Sequence, residues 1–203
     1  MIYVDFDGTI VDIWKRYHRV FMDASGTSRI PLGEYIRVKQ KEQSDARVAE
    51  YFSFKLPPMY WEKKRELLES PEYLRMDTLL LSAEELLSFF SSHSCRILTA
   101  RRNPRNLYKQ LEWLGLSELK AKSIILDPDG AIQKRDYILQ YNDGKVDWMI
   151  GDSRAEAAAA EIPGTQVVLV KTGLQLAELL NTSGNCEIIG SLSEFIKQHK
   201  EFD

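Results

Sequence analysis

Short apolar runs separated by helical patterns are the sequence feature that most constrains this fold. Strands that alternate with helices are joined by right-handed crossovers and form a parallel sheet covered on both faces. The pattern therefore predicts an α/β, Rossmann-like, doubly wound parallel sheet of about five to six strands. The predicted strands are 2–5, 95–99, 123–126, 146–150, 166–170 and, at one edge, 187–189. The predicted helices between them are 104–114, 131–141, 154–161, 173–180 and 191–200.

The stretch 13–91 contains no predicted strand and is interpreted as an all-helical insertion. Pro31 and Pro58 stand where helices begin, and a Ser-Ala-Glu-Glu capping box at Ser82 returns the chain toward the sheet. The aromatic residues of this stretch mostly have the spacing of a small helical core. The predicted helices are 13–24, 32–52 and 59–68. The predicted domains are a core formed by 1–12 and 92–203 and a helical cap at 13–91.

Composition limits the classes of protein that this chain can represent. Its 203 residues suffice for one good core with a modest second one. A net charge of -3 argues against a protein that follows a nucleic-acid backbone or an anionic membrane. Cys95 and Cys186 lack a metal-like or redox spacing, so reduced thiols are expected. No leader pattern precedes the first strand and no apolar run could cross a bilayer, so a cytoplasmic location is expected.

The first predicted strand delivers two carboxylates, Asp5 and Asp7, followed by Gly8. The glycine lets the chain turn, so that the two carboxyl groups can converge from different directions. At ~4 Å and an effective dielectric of about 20, their repulsion is roughly 4 kcal/mol. The pair therefore needs a cation or a shared proton, and ligands bind at the carboxyl ends of parallel strands. A polar hairpin turn is the alternative, because Asp-Gly is also a hairpin signal.

Two further strands deliver polar residues to the same edge of the sheet. Thr99 ends the second predicted strand, and its hydroxyl with the amides of a following helix would make a phosphate cradle; a structural strand end is the alternative. Asp152 follows the fourth strand, and Glu156 lies four residues later, close enough to face the same cation. Oxygen-only ligands favour Mg²⁺. A helix N-cap is the alternative role for Asp152.

These motifs resemble those of the haloacid dehalogenase superfamily of phosphohydrolases, over the predicted core. The third motif of that superfamily is a lone lysine, for which Lys134 is the better match and Lys145 the poorer one. The insertion resembles the type 1 cap of the superfamily. The matching segments are Asp5-Phe6-Asp7-Gly8-Thr9 for the first motif, Leu98-Thr99 for the second, and Gly151-Asp152-Ser153 with Glu156 for the fourth.

The resemblance implies phosphoryl transfer through an aspartyl-phosphate. Asp5 would attack phosphorus, and Asp7 would protonate the leaving oxygen and then deprotonate water. Mg²⁺ and Lys134 would offset the charge of the nucleophile and the phosphate, with Glu156 binding the metal directly or through water. The implied catalytic residues are Asp5, Asp7, Thr99 and Lys134. The implied substrate-binding residues are Gly8, Thr9, Ala100 and Arg101. The implied metal ligands are Asp5, the backbone carbonyl of Asp7, Asp152 and Glu156.

The prediction is therefore a Mg²⁺-dependent phosphatase for a small phosphorylated metabolite, because a cap that closes over the site disfavours polymers. A phosphomutase or phosphotransferase, a polynucleotide phosphatase and a non-catalytic phosphate-binding protein are the alternatives. Carbon-halogen cleavage is disfavoured, because the dehalogenase branch lacks an acid at the position of Asp7. The substrate and the oligomeric state stay open. Candidates for contacts with the rest of the substrate are Arg101, Arg102 and Arg105 after Thr99, and Tyr17, His18, Arg47 and Lys55 in the cap. Solvated charges at a helix start are the alternative for the arginines, and ordinary surface side chains are the alternative for the cap residues.

Overall fold

A sheet of six parallel strands forms the centre of the computed structural model, which describes residues 1–42, 44–141, 147–180 and 186–199. Two short strands form a separate antiparallel pair. In chain order the strands are β1 (Ile2–Val4), β2 (Val11–Asp12), β3 (Thr78–Leu79), β4 (Cys95–Ala100), β5 (Ser123–Leu126), β6 (Trp148–Gly151), β7 (Gln166–Val170) and β8 (Cys186–Ile189).

Helices cover both faces of this sheet and fill the insertion after β1. The α-helices are α1 (Trp14–Ser25), α2 (Leu32–Glu42), α3 (Asp45–Tyr51), α4 (Tyr60–Leu68), α5 (Pro71–Leu74), α6 (Ala83–Ser92), α7 (Pro104–Trp113), α8 (Lys134–Tyr141), α9 (Arg154–Ala157), α10 (Ala177–Leu180) and α11 (Leu192–Gln198). Two 3-10 helices cover Ser117–Lys122 and Ala158–Glu161. None of the helices in the described ranges has the length and apolarity needed to span a bilayer.

The strand order of the large sheet is β5-β4-β1-β6-β7-β8, and every neighbouring pair is parallel. From the central β1, the chain first builds one half of the sheet with β4 and β5 and then the other half with β6 to β8. This is the doubly wound order, in which ligands bind at the carboxyl ends of the strands where the direction of winding reverses. The predicted fold class is confirmed.

Side chains of the central strands alternate between the two faces of the sheet. Val4, Ile97 and Ile150 are fully buried in one cluster, together with apolar residues of α6, α7 and α11. On the other face, Tyr3 and Met149 pack with residues of α8 and of the 3-10 helix at Ala158–Glu161. Burying a large apolar side chain contributes roughly 1.5–3 kcal/mol, so the two layers fix the central strands on which the polar residues are mounted. Cys95 on β4 and Cys186 on β8 are both buried.

The predicted single helix over 32–52 is wrong. The chain forms α2 and α3 instead, because Ser44 has an extended backbone and its side chain accepts a hydrogen bond from the N–H of Arg47 at 3.2 Å. A serine in this geometry starts a new helix. Other helices are shorter than predicted. Helix α8 begins at Lys134 instead of residue 131, and α10 begins at Ala177 instead of residue 173. The helix predicted over 154–161 changes to a 3-10 helix after Ala157.

The insertion is not entirely helical, because β3 pairs with β2 through Val11 and Leu79. Helix α6 lies almost entirely in the predicted cap, whose last predicted residue is 91. Its Leu86, Phe89 and Phe90 are buried in the cluster that covers one face of the sheet. We therefore propose that the cap ends before β3 and that α6 belongs to the core.

The cap has an apolar core of its own, built around aromatic side chains. Phe21, Tyr35 and Tyr60 are almost fully buried, and the ring centroids of Phe21 and Tyr35 lie 5.2 Å apart. Val48 on α3 packs into the same cluster. The aromatic spacing in the sequence therefore mostly reflects packing within the cap, as predicted, whereas Tyr51 and Trp61 are exposed.

Candidate active site

A tight turn after β1 positions Asp5 at the carboxyl edge of the sheet. The N–H of Asp5 donates to the carbonyl of Ile150 at 2.8 Å, which extends the pairing with β6 by one residue. The carbonyl of Phe6 then accepts hydrogen bonds from the next residues, and Gly8 adopts a φ of +75° that few other residues tolerate. The side chain of Asp5 is thus buried and held by backbone geometry.

Three carboxylates meet at this edge, since oxygens of Asp5, Asp152 and Glu156 lie within 4.8 Å of one another. Asp152 follows β6, and its Oδ2 accepts the N–H of Leu174 at 3.1 Å. Ser153 is the N-cap of α9, so the alternative role of Asp152 as the cap is wrong. Glu156 completes a capping box, because its Oε2 accepts the N–H of Ser153 at 2.8 Å.

Lys134, the first residue of α8, binds two of these carboxylates. Its Nζ lies 2.6 Å from Oδ1 of Asp5 and also donates to Oε1 of Glu156. The side chain is 7% exposed. Burial alone would lower the pKa of Lys134, but Asp5 and Glu156 outweigh it and raise the pKa, so the ammonium stays charged. The alternative third-motif residue, Lys145, lies outside the described residues.

The carboxylate cluster carries more negative charge than Lys134 can balance. Burial raises the pKa of Asp5 to about 6, although the ammonium of Lys134 opposes this shift. Burial, together with the charges of Asp5 and Glu156, raises the pKa of Asp152 well above its usual range. Hard oxygen ligands and an excess of negative charge fit a divalent cation such as Mg²⁺. The donor set is thus compatible with the predicted metal, without selecting Mg²⁺ over similar ions.

Glycine backbones allow the acidic side chains to lie this close to the chain. A Cβ at Gly173 would lie 1.8 Å from Oδ2 of Asp152, and one at Gly151 would lie 2.1 Å from Cγ of Glu156. At Gly8 an added Cβ would lie 2.6 Å from the same Asp152 oxygen. Gly8 therefore has a packing role beside Asp152, and its role in substrate binding stays a prediction.

Asp7 is held by two buried arginines instead of lying free. Its Oδ1 accepts from Nη2 of Arg16 at 2.5 Å and from Nη2 of Arg101 at 2.7 Å. Burial would raise the pKa of Asp7, but Arg101 and Arg16 outweigh it and lower the pKa. Asp7 is therefore a carboxylate at neutral pH, and its orientation is fixed from two sides.

The arginines belong to a closed ring of hydrogen bonds that joins the cap to the core. Nε of Arg16 donates to one oxygen of Asp77 at 3.0 Å, and Nε2 of Gln110 donates to the other at 2.8 Å. Oε1 of Gln110 accepts from Arg101 at 3.3 Å, which completes the ring through Asp7. Because α1 supplies Arg16 and α7 supplies Gln110, the ring fixes Asp7 relative to both layers.

Arg101, a predicted substrate-binding residue, is part of this ring, and its role in substrate binding stays a prediction. The residue is 3% exposed, and its guanidinium bonds Asp7 and Gln110 instead of lining the cavity. Arg16 was not among the predicted site residues. Its spacing in the sequence could have indicated a buried charge. Arg16 follows Ile13 by three residues and precedes Val20 by four, so it lies on the apolar face of α1.

A cavity of about 380 Å³ opens beside the carboxylate cluster. Thr9, a predicted substrate-binding residue, does not line it: Thr9 is fully buried, and its hydroxyl has no hydrogen-bond partner among the described residues. The predicted residues that line the cavity are Asp5, Asp7, Thr99, Ala100, Lys134 and Asp152. Residues that sequence analysis did not propose and that also line it include Ile13, Lys39, Arg154 and Gln175.

Among the predicted contacts of the cap with substrate, only Tyr17 lines the cavity. His18 bonds the carbonyl of Ile30, and the side chain of Arg47 is 71% exposed. Lys55 lines a different depression of the cap. Arg102, proposed from its position after Thr99, pairs with Asp129 at 2.8 Å.

The cap contacts the core next to the cluster, at the loop after β7. Nε1 of Trp14 donates to the carbonyl of Thr172 at 3.2 Å, and Nε2 of Gln40 donates to that of Gly173 at 3.3 Å. The hydroxyl of Thr172 donates to the carbonyl of Gly8 at 2.5 Å. Residues 172 and 173 therefore join α1 and α2 of the cap to the turn that carries the carboxylates.

Comparison with known proteins identifies the fold. No family model matches the sequence. No curated protein matches it either. Solved structures do match, among them a predicted phosphatase from Clostridium acetobutylicum with a TM-score of 0.69 and 19% identity, covering 99% of this chain and 98% of that one. A HAD family hydrolase from Deinococcus radiodurans R1, with bound phosphate and sodium, has a TM-score of 0.69 and 19% identity, with coverages of 98% and 94%.

A third structure, a predicted phosphoglycolate phosphatase from Haemophilus somnus, has a TM-score of 0.67 and 14% identity over 98% of this chain and 96% of that one. These coverages include the cap as well as the core. The chain therefore has the fold of the haloacid dehalogenase-like hydrolases, as its motifs predict.

Proposed function

We propose that this protein is a divalent-metal-dependent phosphatase that hydrolyses a small phosphate monoester through an aspartyl-phosphate. The observation that carries the proposal is the contact of Lys134 with Asp5 beside Asp152, in a buried cluster at the carboxyl ends of β1 and β6. A nucleophilic carboxylate, a fixed ammonium and an excess of anionic oxygen ligands suit the transfer of a phosphoryl group. The fold shared with phosphatases supports the same conclusion.

In the proposed reaction, an oxygen of Asp5 bonds to phosphorus while the bond to the leaving oxygen breaks. Lys134 offsets the charge on the phosphoryl group, and Thr99 lines the cavity where its oxygens would lie. Because Arg16 and Arg101 keep Asp7 charged in the free protein, Asp7 would first take up a proton from the phosphate monoanion of the bound substrate and then deliver it to the leaving oxygen. In the second step Asp7 would accept a proton from the water that attacks phosphorus, while the bond between Asp5 and phosphorus breaks.

A divalent cation would be held by the side chains of Asp5 and Asp152, with the backbone carbonyl of Asp7 as a further proposed ligand. When bound, it would neutralise the repulsion between the carboxylates and the phosphate. We assign Glu156 to the positioning of Lys134, because its two oxygens already bond Lys134 and the N–H of Ser153. A cation would thus provide the positive charge that the cluster lacks.

A screen of phosphate release tests this proposal. The protein is incubated with sugar phosphates, nucleoside monophosphates and phosphate esters of small hydroxy acids, with and without Mg²⁺ and then with EDTA. We expect release that depends on the metal and is lost in Asp152→Asn but kept in Asp147→Asn, whose carboxylate is 72% exposed. Release that is unchanged by EDTA would overturn the metal assignment. Transfer of phosphate to an acceptor hydroxyl in place of water would identify a phosphotransferase.

A further inference from the structure

The cap contributes a buried cation to the wall of the same cavity. Lys39 on α2 has a side chain that is 7% exposed, and its Nζ lies 2.7 Å from Oδ1 of Asp45. From the core, Arg154 at the start of α9 lines the cavity as well. Neither residue has a role in the phosphoryl transfer proposed above, so the cavity has cationic groups beyond those that the reacting phosphate requires.

Lys39 belongs to a cluster in which two ammonium groups share one carboxylate. Besides Lys39, Asp45 accepts hydrogen bonds from Lys64 and from the hydroxyl of Tyr60, the latter at 2.6 Å. Burial lowers the pKa of Lys39, and the charge of Asp45 opposes that shift. Keeping an ammonium buried is costly unless anionic partners compensate it, and an anion in the cavity would add such a partner.

The neighbouring residue fixes where Lys39 lies relative to the carboxylate cluster. Gln40 donates to the carbonyl of Gly173, and Gly173 packs directly against the side chain of Asp152. Lys39 is therefore mounted on a helix that is anchored beside the reacting groups. A cavity of about 380 Å³ between these elements suits a small molecule that reaches both.

We propose that Lys39, together with Arg154 from the core, binds a second anionic group on the leaving group of the substrate. This inference rests on the proposed phosphatase function and narrows it to phosphate esters whose alcohol carries a carboxylate or a further phosphate. The shared chemistry is a compact anion that accepts charge-assisted hydrogen bonds.

Pairs of esters that differ only in this charge provide the test. Specificity constants are measured for 3-phosphoglycerate against glycerol 3-phosphate, and for fructose 1,6-bisphosphate against fructose 6-phosphate. We expect the wild type to have the higher specificity constant for the more anionic member of one pair. A preference in the first pair would identify a carboxylate as the second anionic group, and a preference in the second pair would identify a phosphate. In Lys39→Met this preference should fall about 10- to 100-fold, as expected for a lost charge-assisted hydrogen bond. Lys41→Met, on the same helix but exposed, should keep the preference.

Arg154→Gln is a second variant and lies outside the buried cluster around Asp45, so it tests the proposal even if Lys39→Met unfolds the cap. It should reduce the same preference. Calorimetric titration of the four esters into the Asp5→Asn protein reads binding without turnover. If the wild type hydrolyses esters but neither variant changes the preference, the anion site is wrong while the phosphatase proposal stands. If no ester is hydrolysed, the phosphatase proposal fails. If the calorimetric titrations also show equal affinity for both members of each pair, the anion site is rejected as well.

Discussion

Lys134 contacts both the proposed nucleophile and Glu156, so its replacement measures what one positive charge contributes to phosphoryl transfer. Lys134→Met keeps most of the side-chain volume and removes the charge. We expect kcat to fall about 100- to 1,000-fold, by analogy with the loss of one oxyanion donor. Lys171→Met is the matched control, since Lys171 is 53% exposed and pairs with Glu178 at the surface. A similar loss in both variants would argue against a specific role for Lys134.

Gly173 tests whether the position of Asp152 matters for the metal. Alanine at this position would place its Cβ 1.8 Å from Oδ2 of Asp152, so the carboxylate has to move. We expect Gly173→Ala to weaken Mg²⁺ binding about 10- to 100-fold, as other changes next to metal ligands do. Gly33→Ala has open space around it and serves as the control. Calorimetric titration measures the Mg²⁺ affinity of both variants. An unchanged affinity in Gly173→Ala would argue that Asp152 is not a metal ligand.

At the scale of elements, α2, α3 and α4 of the cap are joined through Asp45. Burial would raise the pKa of this carboxyl, but Lys64 and Lys39 outweigh it and lower the pKa to about 2. Because the pKa of Asp45 is lower in the folded state, its ion pairs stabilise the fold at pH values above the unfolded pKa of about 3.9. This stabilisation is lost as the pH falls toward 2. The shift corresponds to about 2 kcal/mol of unfolding free energy.

Urea unfolding of the wild type and of Asp45→Asn from pH 5 toward pH 2 measures this contribution. The difference in unfolding free energy between the two proteins should shrink by about 2 kcal/mol over that interval. Asp129→Asn should show a much smaller trend, because the carboxylate of Asp129 is 55% exposed and solvent screens the pair with Arg102 that lowers its pKa. A constant difference between wild type and Asp45→Asn would mean that the ion pairs do not hold the helices together.

The sequence predicts the sheet well because its strands are apolar runs with clear helical segments between them. It also predicts that Asp5 and Asp152 converge, since the carboxyl ends of neighbouring parallel strands share an edge. The roles of Arg16 and Lys39 could not be predicted in this way, because they depend on how the cap lies against the core. The contact of Arg101 with Asp7 could not be predicted for a related reason, because its position after Thr99 does not show that the side chain turns inward.

At the scale of the whole molecule, the contacts of α1 and α2 with residues 172 and 173 hold the cap beside the cavity. The proposed function implies that a cavity of about 380 Å³ under such a cap accepts small esters more readily than polymers. We expect sugar or nucleoside monophosphates to have specificity constants at least about tenfold above those of a phosphopeptide and a 3′-phosphorylated oligonucleotide. If either polymer were preferred by about tenfold, the cap would have to lie open in the working enzyme.

The most direct test of the account is the detection of a covalent phosphate on Asp5. The protein is mixed with Mg²⁺ and its best substrate from the screen, quenched in acid within milliseconds and digested for mass spectrometry, with borohydride reduction to mark the acyl phosphate. We predict that the phosphate lies on the peptide that contains Asp5, and that Asp5→Asn shows neither the adduct nor turnover. An adduct on another residue, or turnover by Asp5→Asn near the wild-type rate, would contradict the account.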